Sequence, residues 1–272
     1  MDAGRVNADD ALARASERVR ELAEDWEPPD FGHVPDADAA IFLCAVDHKT
    51  GYSEAHEVNG AGPFEGSELM WMLGLQAAAA EPGMLTSRRL RYVSAGDVAE
   101  WFRAGSEPIG DPERRVALWR DLASGLERDN EGSAAELLSR AEGLLAGPGG
   151  LLERLRAYRA YSDPLAKKAF LFAKIAERRG WFNVLDPKAW EVSVDNVLMR
   201  LALRSGLVSP GPLDEVRAAT RVAFKELAAG TGISPPVLDD MLWELGRSDP
   251  DLLGSAAGDL AEPPRDPASA WY

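Results

Sequence analysis

Apolar residues Leu12, Ala15, Val19, Leu22 and Trp26 recur at steps of three and four, the spacing that gives a helix one apolar face. Asn7 or Asp9 can cap that helix, and the following stretch, EPPDFGHVPDAD, ends it with prolines and turn residues. The next apolar run, AIFLCAV, reads as a short helix or a strand leading through a Lys-Thr-Gly turn into a small β-hairpin near residues 41–60. From GPFEGSELMWML onward the period is helical almost to the end. Segments 66–80, 86–92, 94–103, 111–129, 132–145, 150–161, 164–179, 195–205, 212–229 and 234–246 are separated by Gly, Pro, Asp or Ser.

This pattern predicts a mainly α protein. It has an N-terminal helix and connector over 1–35, a compact all-α domain over 36–248, and a loosely held Pro-, Ala- and Asp-rich tail over 249–272. With 272 residues and 46% hydrophobic content, the chain can bury the core of one large domain or two small ones. A net charge of −15 argues against affinity built on phosphate neutralisation along nucleic acid, although a local basic patch can survive within an acidic whole. No stretch has the length of a signal peptide or a membrane span, so a cytoplasmic protein without a membrane partner is expected.

The one cysteine, Cys44, lies inside AIFLCAV, which fits a small buried hydrophobe and leaves no disulfide. His33 and His56 lack metal-ligand spacing. Neither a metal nor another cofactor is expected. The sequence assigns no oligomeric state.

Two places remain where chemistry can sit. In DPLAKKAFLFAKI, Asp163 reads as an N-cap and Pro164 as the first helical residue, while AFLFA is apolar on every side and marks a buried helix. Lys167 and Lys168 are therefore out of place, close to the positive end of the helix dipole and at the edge of a buried element. Either both snorkel to solvent, or one faces a cavity where desolvation suits it to act as a nucleophile or to hold an anion.

In SVDNVLMRLALRSG, Asp195 opens a helix that Gly206 stops. It is either a cap alone or also a fixed negative charge, of the kind that stabilises an oxocarbenium-like transition state at an anomeric carbon. Asp47 and His48, adjacent at a turn, form a pair that binds a polar ligand or simply lies exposed. Arg114 and Arg115 begin a helix, which fits a solvated pair better than a phosphate site. The glycines of GAGPFEG lack the strand–loop–helix context of a nucleotide fold.

An aspartate opening a helix, a lysine-headed buried helix before it and the late LDDMLW segment together resemble the helix-hairpin-helix glycosylase superfamily, whose members cleave base–sugar bonds. Over most of 36–247 the chain is similar to the queuosine salvage family of nucleotide N-glycosylases. KKA at 167–169 looks like that family's lysine motif, Asp195 falls at its catalytic aspartate, and GPFEGSELMWML and VLDDMLWELG look like its early helix and closing segment. Chiefly over 163–246 the chain also resembles the archaeal 8-oxoguanine DNA glycosylase and lyase, through Lys167, Lys168 and Lys174 and through GISPPVLDDMLW.

What the resemblance implies is a hydrolase of the N-glycosidic bond of a 7-deazaguanine, queuosine-like nucleotide or nucleoside. Asp195 and Lys167 would be catalytic, and Lys168, Asp47, His48, Arg115, Asp239 and Trp243 would bind the substrate. The salvage family's aromatic Asn-Phe-Trp motif is replaced by AVDHKTGY, and RAYRAYSD stands where the DNA branch carries a glycine-rich hairpin. A small nucleotide is thus the first candidate partner and DNA the second. A non-catalytic nucleotide-binding relative is the alternative outside enzymology.

Overall fold

A computed structural model of the chain describes residues 8–256, 262–263, 266 and 269–271. Among these residues there are twelve α-helices and one two-stranded antiparallel sheet, so the protein is mainly α. Contacts group the chain into two compact units, Asp30–Ala189 with Ala270–Tyr272, and Met1–Pro29 with Trp190–Ser269. The expected single domain over 36–248 is therefore divided at residue 190, and the N-terminal helix groups with the C-terminal ones. Long-range apolar contacts decide this, and no local pattern reports them.

The Asp30–Ala189 unit is built around α2 (Ala37–Val46), in which every residue but Asp38 is buried. The run AIFLCAV is therefore helix, the reading its apolarity alone left open. Asp36 caps α2 by accepting the Ala39 N–H at 2.8 Å. An all-round apolar helix needs partners on every side. Here they are α3 (Gly66–Ala80), α6 (Pro112–Asp129), α7 (Ala134–Arg140), α9 (Lys167–Arg178) and a 3-10 turn at Arg159–Tyr161. Smaller helices, α4 (Ser87–Leu90), α5 (Ala95–Trp101) and α8 (Leu151–Arg156), complete the unit.

The hairpin pairs β1 (His56–Val58) with β2 (Ala61–Phe64). Its turn is Asn59-Gly60, both at positive φ, rather than the Lys-Thr-Gly segment. The expected helix over 132–145 stops at Arg140, and Gly143 follows with φ +79°. The expected helix over 164–179 starts three residues late, at Lys167, because Ala166 takes a left-handed conformation. Asp163 is consequently not the N-cap residue, yet its carboxylate still accepts the Leu165 and Lys167 N–H groups at 3.0 and 3.1 Å.

The other unit holds α1 (Ala8–Ala23), α10 (Asn196–Arg204), α11 (Leu213–Thr231) and α12 (Pro235–Ser248), with a core that includes Val19, Leu198, Leu201, Phe224 and Leu238. Asn7 lies outside the described residues, and Asp9 falls inside α1 rather than at its cap. Helix α12 approaches α10 closely at Gly246, where an added Cβ would stand 2.7 Å from a Leu201 methyl. Leu252 and Leu253, at the start of the expected loose tail, are buried in this core.

Candidate functional site

The last carbonyls of a helix have no partner within it and carry the negative end of its dipole. Because α2 ends in the interior, these groups cannot turn to water, and side chains from other elements supply the donors. The Cys44 carbonyl accepts the Asp47 N–H at 3.2 Å. Lys168 Nζ donates to the Ala45 carbonyl at 2.6 Å. The Arg115 guanidinium donates to the Val46 carbonyl, to His48 O at 2.6 Å, to Lys49 O at 3.1 Å and to Gly110 O at 2.9 Å.

Lys167 and Lys168 thus head their own helix against its dipole while their ammonium groups reach the favourable end of α2. That resolves the oddity of their position. Neither lysine snorkels: Lys168 is fully buried and Lys167 is 8% exposed. Arg115, expected in a solvated pair, is fully buried too, whereas Arg114 is half-buried and pairs with Asp111 at 3.0 Å. Burial lowers the pKa of Arg115 to about 10, against the opposing pull of Asp47.

Asp47 and His48 are buried rather than on an exposed loop. Ser67 Oγ donates to Asp47 Oδ1 at 2.7 Å, and Trp71 Nε1 lies 3.4 Å from Oδ2. Lys167 Nζ stands 3.9 Å from Oδ2 and 3.5 Å from the Asp47 carbonyl. Burial raises the Asp47 pKa, but the Lys167 charge, the Ser67 hydrogen bond and the Lys168 charge outweigh it and hold the carboxyl below its ordinary value. Ser67 and Trp71 were not singled out in the sequence. Their signal is an i, i+4 pair of polar donors at the start of α3, flanking the apolar Leu69 and Met70.

Lys168 Nζ also lies 3.2 Å from His48 Nδ1. While Lys168 is an ammonium it can only donate, so Nδ1 then accepts and the neutral imidazole carries its proton on Nε2. Nε2 is buried without a hydrogen-bond partner among the described residues. Burial lowers the Lys168 pKa well below its ordinary value, with the Lys167 charge next in size. Burial also depresses His48, helped by the charges of Lys168, Arg115, Lys167 and Arg114.

The depressed His48 pKa has a definite consequence for stability. Below about pH 6.5 the unfolded imidazole takes up a proton that the folded one refuses. Stability is therefore complete above that pH and falls as the solution is acidified, by at most about 1.4 kcal/mol per pH unit from this group. Urea titrations at pH 5 and pH 7 should show a smaller difference for His48→Gln, whose amide oxygen can still accept from Lys168. An unchanged difference would exclude His48 as the source.

In the other unit Asp195 is the N-cap of α10. Its Oδ1 accepts both the Val197 N–H at 2.9 Å and the Leu198 N–H at 3.0 Å. The backbone leading into it is fixed by Asp239 of α12, whose buried carboxylate accepts the Ser193 N–H at 2.8 Å. Trp243, one turn further along α12, is partly buried against the core, with the Arg247 guanidinium 4.8 Å from its ring centre. The three residues Asp195, Asp239 and Trp243 thus share a neighbourhood, as do Asp47, His48, Arg115, Lys167 and Lys168 in theirs.

No group of three His, Cys, Asp or Glu side chains among the described residues could hold a metal ion. No described helix is long and apolar enough to cross a membrane. No family model matches the chain, and no curated relative does.

Proposed function

We propose that this chain is an N-glycosidase of the helix-hairpin-helix glycosylase type, hydrolysing the base–ribose bond of a 7-deazaguanine, queuosine-like nucleotide or nucleoside. The observation that carries the proposal is the double cap at Asp195, with both backbone bonds on one carboxylate oxygen. Two N–H donors and a helix N-terminus favour the charged carboxylate and fix its direction. A fixed anion stabilises positive charge developing on the sugar as the glycosidic bond breaks, or orients the attacking water.

Asp47, His48 and Lys167 belong to the Asp30–Ala189 unit and are proposed separately from Asp195, Asp47 with His48 as a reader of a base and Lys167 as a contact for a sugar or phosphate. Asp47 offers acceptors and the His48 Nε2–H a donor, a pair of opposite hydrogen-bonding character suited to the polar edge of a purine-like ring. Lys168 and Arg115, with their donors already on carbonyls, position the loop that carries Asp47 and His48.

Incubation with queuosine 5′-phosphate, the nucleoside and related nucleotides should release free base, detected by chromatography. Release from none of them by folded protein would refute the proposal. A borohydride-trapped adduct with an abasic or 8-oxoguanine duplex would replace it with amine-dependent removal of DNA bases.

A further inference from the structure

Helix α4 and the residue after it keep helical spacing, since Arg91 N bonds back to Ser87 O at 3.1 Å. Arg88, Arg91 and Tyr92 therefore lie on one face, at i, i+3 and i+4. That face is open: Arg88 and Arg91 are exposed, and Tyr92 is 67% exposed, the most of any large apolar side chain described as exposed. The Arg91 guanidinium lies over one side of the Tyr92 ring, 4.8 Å from its centre. Arg120, from the exposed side of α6, joins the patch by donating through Nε to Val93 O at 2.9 Å.

The patch has no built-in counter-charge. The positions three and four residues to either side of Arg88, Arg91 and Arg120 hold no Asp or Glu. The acids closest in sequence are engaged elsewhere. Glu81 and Asp97 bind Arg89, and Asp121 accepts the Arg159 N–H. Among the described residues none of the three guanidiniums has a carboxylate within ion-pair distance, whereas Arg89, Arg114, Arg128 and Arg140 each have one.

From this we infer that the Arg88–Arg91–Tyr92–Arg120 face binds single-stranded nucleic acid, with phosphates on the guanidiniums and a base stacked on the open side of Tyr92. Clustered guanidiniums beside an exposed aromatic ring are the elements of a sequence-tolerant single-strand platform. The chain's net charge of −15 opposes any polyanion at long range. Screening confines that repulsion to roughly 8 Å at physiological salt, so a local patch decides the contact. This binding is independent of nucleotide hydrolysis, and either can fail without the other.

Fluorescence anisotropy with labelled 12-residue oligothymidylate and oligouridylate tests the inference on the whole chain. Binding should be on the order of 10 μM at physiological ionic strength, and three phosphate contacts predict a log–log salt slope of about −2. Arg88→Ala with Arg91→Ala should weaken binding at least about tenfold, and adding Arg120→Ala should remove it. Tyr92→Ala should weaken it about fivefold or more, and Tyr92→Phe should not. Circular dichroism should be unchanged, the side chains being exposed. The inference is overturned by no measurable binding, by arginine variants that bind like the parent, or by a duplex that binds as tightly as its single strand. It is equally overturned if polyglutamate competes as well as the oligonucleotides and ignores Tyr92.

Discussion

Arg115→Ala is expected to be the most destabilising single change at the end of α2, costing about 4 kcal/mol. The fully buried guanidinium donates to carbonyls of Val46, His48, Lys49 and Gly110, so its removal strands several acceptors and opens a cavity together. Hydrogen bonds from a charged donor contribute about 1.5–3 kcal/mol each, and an abandoned buried acceptor adds its own desolvation cost. Against a total stability of about 5–15 kcal/mol the loss is severe, and the thermal midpoint should fall by about 10 °C. Arg115→Lys should recover less than half, because one ammonium on a flexible stem cannot reach the carbonyls that the planar fork spans. Urea unfolding followed by circular dichroism measures both variants. A cost below about 1 kcal/mol for the alanine variant would mean that the α2 carbonyls find other donors.

Asp195→Asn is expected to leave the fold intact and to lower base release about a thousandfold. Asparagine is as good an N-cap as aspartate, and its amide oxygen can accept the same Val197 and Leu198 N–H groups. What it lacks is the negative charge. Asp195→Ala removes both, so it should add a cap loss of about 1 kcal/mol to the same loss of turnover. The pair of variants separates the two roles of one carboxylate. Turnover by the asparagine variant within tenfold of the parent would leave Asp195 as a cap only, and the hydrolytic proposal would lose its central group.

Much of the local structure follows from the chain's own pattern. The apolar steps from Leu12 to Trp26, the Pro112 start of α6 and the Ser-Pro-Pro start of α12 each mark a helix that forms near where its residues place it. Asp195 is legible as a cap for the same reason, since capping involves only the next three residues. Pro164 marks the start of α9 three residues too early, because a left-handed Ala166 gives no compositional sign. Of the adjacent Arg114 and Arg115 only Arg114 reaches solvent, for a different reason. One residue of rotation on α6 sends Arg114 to Asp111 at the surface and Arg115 into the interior, and three of the four carbonyls that receive it are 66–69 positions away.

The helical class, most helix positions, the burial of Cys44 and the capping chemistry at Asp195 are legible in the chain alone. These depend on interactions spanning one or two turns. Tertiary structure alone decided the grouping of α1 with α10–α12 and the burial of Lys167, Lys168 and Arg115. It also decided the partnership of Asp47 with Ser67 and Trp71. The physical reason is the interior end of α2. A helix whose last carbonyls are withdrawn from water must draw donors from wherever the fold supplies them, and here those donors are cations up to 123 residues distant along the chain.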